Sequence, residues 1–463
     1  MDQEKNPLAT APIGRLMLKY AVPSVVALVV NALYNIVDQI FIGWGVGTLG
    51  NSATNVIFPL NMVVTALALL FGDGGAACLS LELGRNKKKD AEEGVNNTFF
   101  WLIAAGILML LLCAVWLEPL TSVLGATTDN RSYALAYGKI VILGFPFVII
   151  GCGMCSLIRA DGSPQITMIG MIAGCVVNVI LDALFVLGFH WGMEGAAWAT
   201  VIGQILNFAI SMWYVPRFKT VRISLGKMKP KLGLLRRIAS LGVSSFISQF
   251  AIAVIMAVIN YYLVRYGTAS KYGPDIPLAA FGIVMKFNTI LVSIVTGIGT
   301  GAQPIIGYNY GRSDMKRVKH AFAVSAGTAT VVAVICFAAF QLLPVQLTAL
   351  FGEQGELYKE FSVLSFRIFT LLSFCNGFQV VSAIFFQSIG KPLISGLISF
   401  SRQIIFLIPA TMILCRRIGL MGVLWAGPVA DGLAFVLALL LVLRQMLTMR
   451  PVKSAETTAA VGC

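Results

Sequence analysis

The sequence predicts an all-α integral membrane protein with twelve transmembrane helices in two six-helix bundles. Three observations support this fold class: the composition, the recurrence of long apolar stretches, and an internal repeat. Of the 463 residues, 58% are hydrophobic and only 12% are charged, whereas an ordinary soluble domain has about 25% charged residues. The mean hydropathy of +0.85 agrees with a chain whose main solvent is lipid.

Apolar stretches long enough to cross a bilayer recur along the whole chain. In order, they occupy residues 17–42, 53–82, 95–117, 133–157, 164–187, 193–215, 238–265, 277–306, 319–343, 361–388, 393–416 and 421–446. Twelve such spans leave no room for a soluble domain. Residues 1–15 carry charges and prolines instead of a cleavable apolar signal, so we expect the first span to be retained.

An internal repeat relates the two halves of the chain. A displacement of 227 positions superimposes Gly72, Gly74, Gly84 and Arg85 on Gly299, Gly301, Gly311 and Arg312. The same displacement places Gly192, Gly195, Trp198 and Ala199 on Gly419, Gly422, Trp425 and Ala426. One offset that serves two distant regions indicates that a six-span unit was duplicated. Because six is even, both copies keep the same orientation, which is a parallel repeat.

The repeat predicts four segments. An N-terminal six-helix lobe covers residues 1–215, a basic cytoplasmic linker covers 216–237, a C-terminal six-helix lobe covers 238–446, and a cytoplasmic tail covers 447–463. Two like bundles that face each other enclose the central cavity that alternating access requires. The repeat therefore favours a transporter over an enzyme.

The net charge of +14 follows the pattern of a membrane protein. The basic residues lie in alternate loops, and eight of them fall between residues 217 and 237, whereas the other loops are poor in Lys and Arg except for Arg416 and Arg417. By the positive-inside rule, both termini are expected in the cytoplasm and the protein in the plasma membrane. The basic excess therefore indicates membrane topology and not recognition of lipid headgroups or of nucleic acid, and the expected partners include membrane lipids but no nucleic acid.

The sequence gives no sign of an enzyme or of a bound cofactor. The nine cysteines lie mostly inside spans, where they are typical packing residues, and this interpretation includes Cys152 and Cys155. The two histidines, His190 and His320, lie near predicted loops, and there is no nucleotide-binding P-loop. We therefore expect no catalytic residues and no cofactor, with an ion gradient as the energy source.

Span 1 carries a polar stripe. Asn31, Tyr34, Asn35 and Asp38 are spaced at i, i+3, i+4 and i+7, so they share one face of an otherwise apolar helix. A charge at a helix centre costs at least about 2.5–3.5 kcal/mol, so Asp38 needs a reason to be there. It either binds a coupling cation or locks a pair of helices. Pro23, in the same span, invites a bend in a moving element.

Span 5 offers partners for Asp38. Asn178 and Asp182 lie four residues apart and hence on one face, and they could converge with Asp38 in a dry cavity of the first half. Two carboxylates and an amide suit a proton or Na⁺, although structural hydrogen bonding is an alternative for both residues. Spans 7 to 11 contain no acid, so the expected cation site is asymmetric.

Five further positions have two interpretations each. Asp73, between two glycines of span 2, either lines the cavity or caps a glycine-bent helix. Met256 and Met285 supply either an adaptable cavity wall or ordinary bundle packing. Arg402 in span 11 and Asp431 in span 12 could form a structural lock or serve a function.

Three motifs carry a resemblance to a known family. They are YNIVDQIFIG at 34–43, GAQPIIGYNYG at 301–311, and NVILD at 178–182 followed by GAAWAT at 195–200. With these motifs the chain resembles the multidrug and toxic compound extrusion (MATE) family over nearly its full length. The string GDGG at 72–75 resembles a bacterial multidrug efflux subgroup.

The resemblance implies a V-shaped twelve-helix fold that exports bulky amphipathic, mostly cationic drugs by H⁺- or Na⁺-driven antiport, and we expect a monomer. It assigns cation coupling to Asp38, Asn178, Asp182 and Thr200, the first three of which would bind Na⁺ if that is the ion. The expected substrate cavity includes Tyr34, Asn35, Asp73, Met256, Met285 and Gln303. Some members also carry acids in spans 7 and 10, which this chain lacks, so a C-terminal sodium site is not expected.

Two alternatives remain at this point. A lipid-linked oligosaccharide flippase of a related fold usually has a more cationic cavity, and Lys286, Arg367 and Arg402 are consistent with it. The acids of the first half favour cationic cargo instead. A membrane-embedded enzyme is the poorest interpretation, because no metal-ligand or nucleophile cluster is visible.

Overall fold

The computed structural model describes residues 7–124, 126, 130–224, 226, 230–273, 275–349 and 355–449. Every regular element in these ranges is a helix, which confirms the predicted all-α fold class. Most of the predicted tail at 447–463, and positions 225 and 227–229 of the predicted linker, lie outside the described residues.

The first half contains six long helices. They are α1 (Ile13–Gly45), α2 (Thr48–Gly84), α3 (Lys88–Val123), α4 (Arg131–Ala160), α5 (Pro164–Asp182) and α6 (Gly192–Tyr214). A short helix, Pro7–Thr10, precedes α1. A π-helical turn, Ala183–Gly188, continues α5 directly after Asp182. A 3-10 turn, Val215–Arg217, follows α6.

The second half repeats this order. It contains α7 (Leu232–Gly267), α8 (Asp275–Gly311), α9 (Met315–Leu342), α10 in two parts (Glu356–Phe369 and Cys375–Ser388), α11 and α12 (Met421–Thr448). Helix α11 runs from Pro392–Phe400 through a π-helical segment, Ser401–Leu407, to Ile408–Ile418. A short helix, Pro344–Ala349, lies between α9 and α10.

Eleven of these helices are long and apolar enough to cross a membrane. The exception is α10, which the sequence predicts as one span at 361–388 but which is interrupted by turns at 370–374. At this point the Thr370 hydroxyl donates to the Phe366 carbonyl oxygen at 2.6 Å.

The first part of α1 packs in the hydrophobic core of the second half, and the first part of α7 packs in that of the first half. Ile13 and Tyr20 of α1 pack in the core of the second half, whereas Ile42, at the end of the same helix, packs in the core of the first half. Reciprocally, Ile238 of α7 packs in the first core and Ile259 in the second. Each of these two helices therefore connects both bundles.

The bundles meet where α1 packs on α8 and α2 packs on α7. The approach is close because glycines lie at the contacts. A Cβ on Gly242 would lie 1.8 Å from the Leu70 carbonyl oxygen, and one on Gly297 would lie 2.6 Å from the Cα of Val25. Leu70 and Gly297 are equivalent in the 227-residue repeat, so the same position of α2 and of α8 makes the close approach in both contacts.

The described part of the linker is attached to the first half. Asp161, in the α4–α5 loop, accepts hydrogen bonds from the backbone N–H groups of Lys219 and Thr220 at 2.8 and 2.9 Å. Asn97 of α3 accepts from the N–H of Lys231 at 2.9 Å. These bonds hold the linker against the first bundle up to the start of α7. We call the end of the molecule with this linker and the α2–α3 and α8–α9 loops the linker end.

Candidate functional site

Helices α5 and α6 approach each other through two glycines. A Cβ on Gly174 would lie 2.7 Å from the Gly203 carbonyl oxygen, and the reverse distance is also 2.7 Å. One turn along, this approach places Asn178 of α5 beside Thr200 of α6, and the Asn178 amide donates to the Thr200 hydroxyl at 3.5 Å. The sequence therefore uses two glycines to bring two polar side chains together inside an apolar bundle.

Asp182 completes the same face of α5. It is the last residue before the π-helical turn, and its side chain is fully buried. A π-bulge inserts one extra residue into a helix and often marks a functional site. At this position the bulge shifts the register of the residues that follow Asp182.

The carboxyl groups of Asp38 and Asp182 are within hydrogen-bonding reach of each other. Asp38 Oδ1 and both carboxyl oxygens of Asp182 are buried, and none of them receives a hydrogen bond from a donor in the described part of the chain. Two ionised carboxylates would repel each other in such a site. The pair therefore requires a shared proton or a bound cation between its oxygens.

Two tyrosines lie beside this pair of acids. Tyr34 of α1 lies close to Asp38 and Asp182, and Tyr137 of α4 lies close to both acids and hydrogen-bonds to Thr200. Tyr137 is not predicted from the sequence. A single tyrosine in an apolar span looks like a packing residue, and the motifs that carry the family resemblance do not include it.

The oxygen atoms of this cluster suit a small hard cation or a proton as their ligand. Besides the two carboxyl groups, Asn178 offers a buried amide oxygen that has no hydrogen-bond partner among the described residues. Oxygen ligands of this kind suit Na⁺, and carboxylates accept a proton equally well. The described ranges contain no group of three or more His, Cys, Asp or Glu side chains that could hold a metal ion, so a bound metal would depend on two carboxylates and neutral oxygens.

The other predicted site residues lie apart from this cluster. Asn35 is exposed, and its amide donates to the Asn31 carbonyl oxygen in the same helix at 2.7 Å. Asp73 and Gln303 are buried where the two bundles meet, with the Gln303 amide 3.4 Å from the Asp73 carbonyl oxygen. Both side chains are buried in this structure, and their place in the substrate cavity stays a prediction.

The predicted methionines lie in the second half. Met256 of α7 and Met285 of α8 are half-buried, and Met285 packs against the core of the second bundle. Both positions agree with packing inside the bundle. A role of the two methionines in substrate binding stays a prediction.

The predicted pair of Arg402 and Asp431 exists. Arg402 Nε donates to Asp431 Oδ1 at 2.6 Å, and the two side chains are 15% and 4% exposed. The arginine lies in the π-helical segment of α11, so α11 and α12 are joined by an ion pair inside the second bundle. The positive charge of Arg402 is therefore compensated by a neighbouring acid.

Comparisons with known proteins agree with this architecture. The multidrug export protein MepA of Staphylococcus aureus (strain MSSA476) is 25% identical over 455 residues, which cover 96% of this chain and 98% of the relative. MepA of Staphylococcus saprophyticus is 25% identical over 450 residues with the same coverage.

Solved structures share the fold. A MATE transporter crystallised with MaL6 superimposes with a TM-score of 0.89 at 19% identity, over 96% of this chain and 98% of that one. An outward-facing multidrug resistance MATE transporter gives the same TM-score, identity and coverage. The MatE family model matches residues 23–184 and 245–413, which is most of both halves. The chain therefore belongs to the MatE family of multidrug and toxic compound extrusion proteins.

Proposed function

We propose that this protein is a cation-coupled antiporter that exports bulky amphipathic, mostly cationic compounds by alternating access. The observation that carries the proposal is the buried contact between Asp38 and Asp182. A site that must hold a proton or a cation to be stable can exchange that cation for cargo. The relatives that are multidrug export proteins support export as the activity.

The coupling follows from charge. With a proton or Na⁺ between them, the two carboxyl groups are compensated and α1 can stay close to α5. When the cation leaves, two negative charges remain in a dry site, and their repulsion favours a different position of α1. Binding of the coupling cation and binding of the cargo therefore favour different conformations, so each promotes the release of the other.

Helix α1 is suited to transmit this change. It carries Asp38 beside α5, its first part up to Val25 packs on the core of the second bundle, and Pro23 lies near the end of that part. Proline removes one backbone hydrogen bond of the helix and so lowers the cost of bending there. A change at Asp38 is thus connected to the position of the second bundle.

Several features complete the proposal. Asn178 and Thr200 contribute neutral oxygens to the cation site, and Asp38, Asn178 and Asp182 would coordinate Na⁺ if that is the coupling ion. The side chains that line the path of the cargo are Tyr34, Asn35, Asp73, Met256, Met285 and Gln303. The protein works as a monomer in the cytoplasmic membrane, in contact with its lipids, with both termini in the cytoplasm and without a cofactor or a catalytic step.

A flippase of lipid-linked oligosaccharides is not favoured. The relatives at 25% identity are multidrug exporters. In addition, Arg402, one of the residues that suggested a cationic cavity, is paired with Asp431 and so adds no free positive charge.

The test is efflux from proteoliposomes loaded with a fluorescent organic cation, with pH and sodium gradients imposed separately. Asp38→Asn and Asp182→Asn should each abolish gradient-driven efflux, whereas Asp90→Asn, at an exposed position of α3, should transport like the wild type. The gradient that drives wild-type efflux identifies the ion. Unchanged efflux in either variant of the pair, at equal reconstitution, would refute the proposal.

A further inference from the structure

Near the linker end, helix α8 turns one side towards the first bundle. A Cβ on Gly297 would lie 2.6 Å from the Cα of Val25, and a Cβ on Gly301 would lie 2.5 Å from the Cα of Ala21. Both glycines therefore point at α1. The other side of α8 packs in the core of the second bundle, where Leu291 is fully buried.

The same side of α8 continues towards the opposite end of the molecule. Lys286 lies eleven residues before Gly297, which is about three turns of an α-helix, so the two residues point in the same direction. Here the first bundle has moved away from α8. Nothing in the described part of the chain lies within 4 Å of the Cβ position of Gly282, and the side chains of Ala279 and Thr289 are exposed. We call Ala279, Gly282, Lys286, Thr289 and Ser293 the open face of α8.

The neighbouring helices show that the open face borders a cleft between the bundles. Asn260 of α7 lies eighteen residues after Gly242, about five turns, and so points to the side on which Gly242 meets α2. The Asn260 side chain is exposed. On α2, the repeat places Asn55 at the position of Gly282, and Asn55 is also exposed. Both walls are therefore open at the end away from the linker.

Lys286 is the charged residue of the open face. It lies nine residues inside the predicted span 277–306, at a depth of about 13 Å for a regular helix. A lysine at this depth is costly if it faces lipid, and the half-buried side chain of Lys286 lies instead on the side of the cleft. The repeat places Pro59 at the equivalent position of α2, so the opposite wall lacks this charge there.

Opposite charges thus belong to the two halves. Asp38 and Asp182 lie in the first bundle, whereas Lys286 lies on the cleft wall of the second bundle. A cargo that carries both a cationic and an anionic group would be oriented by this arrangement, with its cation towards the first half and its anion towards Lys286. The lysine ammonium donates charge-assisted hydrogen bonds to a carboxylate, which are about twice as strong as neutral ones.

We propose that Lys286 binds the carboxylate of amphipathic zwitterionic cargo, so that the substrates include aromatic compounds with both an amine and a carboxylate. The proposal rests on the export function proposed above and names a substrate class for it. It also gives the two halves different tasks in cargo recognition, since the repeat does not conserve the charge.

The experiment compares two dyes that differ in one group. Tetramethylrhodamine has a free carboxylate and is a zwitterion, whereas its methyl ester is a monocation of nearly the same size and shape. Fluorescence anisotropy measures the binding of each dye to the purified full-length protein in detergent. This measurement requires no ion gradient and no transport.

Lys286→Gln should weaken the binding of the acid by roughly tenfold and leave that of the ester unchanged, because one charge-assisted hydrogen bond is lost. Lys286→Arg should retain the binding of the acid, since arginine also donates to carboxylates. The control is Arg265→Gln. Arg265 is an exposed cation of α7 whose guanidinium donates to the Tyr261 hydroxyl at 2.8 Å, and its loss should change neither affinity.

A second pair of variants keeps Lys286 in place. Thr289 is exposed, and its hydroxyl bonds its own helix at the Met285 carbonyl oxygen, at 2.9 Å, so its replacement should not disturb the fold. Thr289→Glu places a carboxylate one turn from Lys286, where it should compete with the carboxylate of the dye and weaken the binding of the acid. Thr289→Gln, of the same size but without the charge, should not.

Unchanged binding of the acid in Lys286→Gln and in Thr289→Glu would overturn the proposal. An equal loss for acid and ester in Lys286→Gln would do the same, because the lysine would then shape the cleft without recognising the carboxylate. A lipid phosphate is the other anion that a lysine in this position could bind. Displacement of the acid from the wild type by added phosphatidylglycerol, but not by phosphatidylcholine, would assign Lys286 to lipid instead of cargo.

The binding assay and the efflux assay fail independently. Charge-selective binding without gradient-driven efflux would refute the antiport and leave the Lys286 subsite standing. Efflux that depends on Asp38 and Asp182, together with equal binding of the acid by the wild type and by Lys286→Gln, would refute the subsite and leave the antiport standing.

Discussion

Gly84 at the end of α2 and Gly311 at the end of α8 touch each other, and the 227-residue repeat makes them equivalent. A Cβ on either glycine would lie 2.8 Å from the Cα of the other. Two equivalent residues in mutual contact lie on the axis that relates the two bundles. The approach is possible because neither residue has a side chain, so the linker end is closed by direct contact between backbones.

Gly84→Ala should destabilise the protein, because the added Cβ would lie 2.2 Å from the Tyr308 carbonyl oxygen. Overpacking of this kind costs about 1–3 kcal/mol, which exceeds the gain of about 0.5–1 kcal/mol that alanine gives in a helix. Gly327→Ala is the control, since nothing lies within 4 Å of its Cβ position in α9. Thermal unfolding in detergent should show a lower midpoint for Gly84→Ala alone, and equal midpoints would contradict the contact.

Arg402→Met should destabilise the second bundle, because it leaves the Asp431 carboxylate buried without its cation. Breaking a buried pair from one side costs about 3–5 kcal/mol, whereas an apolar replacement of both partners is often neutral. The double variant Arg402→Met/Asp431→Leu should therefore recover most of the lost yield of monodisperse protein in size-exclusion chromatography.

The same double variant separates the two interpretations of the pair. If the pair is a structural lock, the rescued protein should transport a fluorescent organic cation at nearly the wild-type rate. A protein that is stable but inactive would instead show that the charges themselves take part in transport.

The sequence predicts most of the fold because its dominant signals are long and regular. Twenty apolar residues in a row specify a spanning helix whatever their neighbours are, and the repeated glycines at 72–84 and 299–311 relate the halves without structural information. The interruption of α10 at 370–374 is not predictable in this way, since the stretch is largely apolar and hydropathy does not report a break in the backbone. The packing of α1 and α7 against both cores depends on tertiary contacts, which the hydropathy pattern does not show either.

The candidate site is predictable where a charge interrupts an apolar helix. Asp38 and Asp182 stand out for that reason, and the structure places them together. Tyr137 does not stand out, because a tyrosine is common in membrane helices. For Asp73, the sequence showed an acid between two glycines but could not show Ser245, the partner from α7, 172 positions away.

Tyr137→Phe should reduce coupled efflux by about tenfold while the protein stays folded, because it removes the hydroxyl that bonds Thr200 beside the acidic pair. The control is Tyr133→Phe, one turn earlier in α4, where the side chain is 37% exposed. Initial rates of efflux from proteoliposomes at equal protein content test this. Equal rates in the two variants would show that the Tyr137 hydroxyl has no part in coupling.

Asp161→Ala should release the start of the linker from the first bundle. Its carboxylate accepts four hydrogen bonds: from the Tyr214 hydroxyl at 2.8 Å, from the N–H groups of Lys219 and Thr220, and from the Thr220 hydroxyl at 2.6 Å. Loss of these bonds leaves several donors unsatisfied, each at about 1–3 kcal/mol if it stays buried, so the segment should move into solvent instead.

Limited trypsin digestion measures this release, because Lys219 and Arg222 are then open to the protease. Cleavage between the two bundles should be several times faster in Asp161→Ala than in Asp90→Ala, which removes an exposed carboxylate of α3 at the same end of the molecule. If both variants are cut at the wild-type rate, the hydrogen bonds of Asn96 and Asn97 to the linker suffice to hold it, and Asp161 is not the anchor that its four bonds indicate.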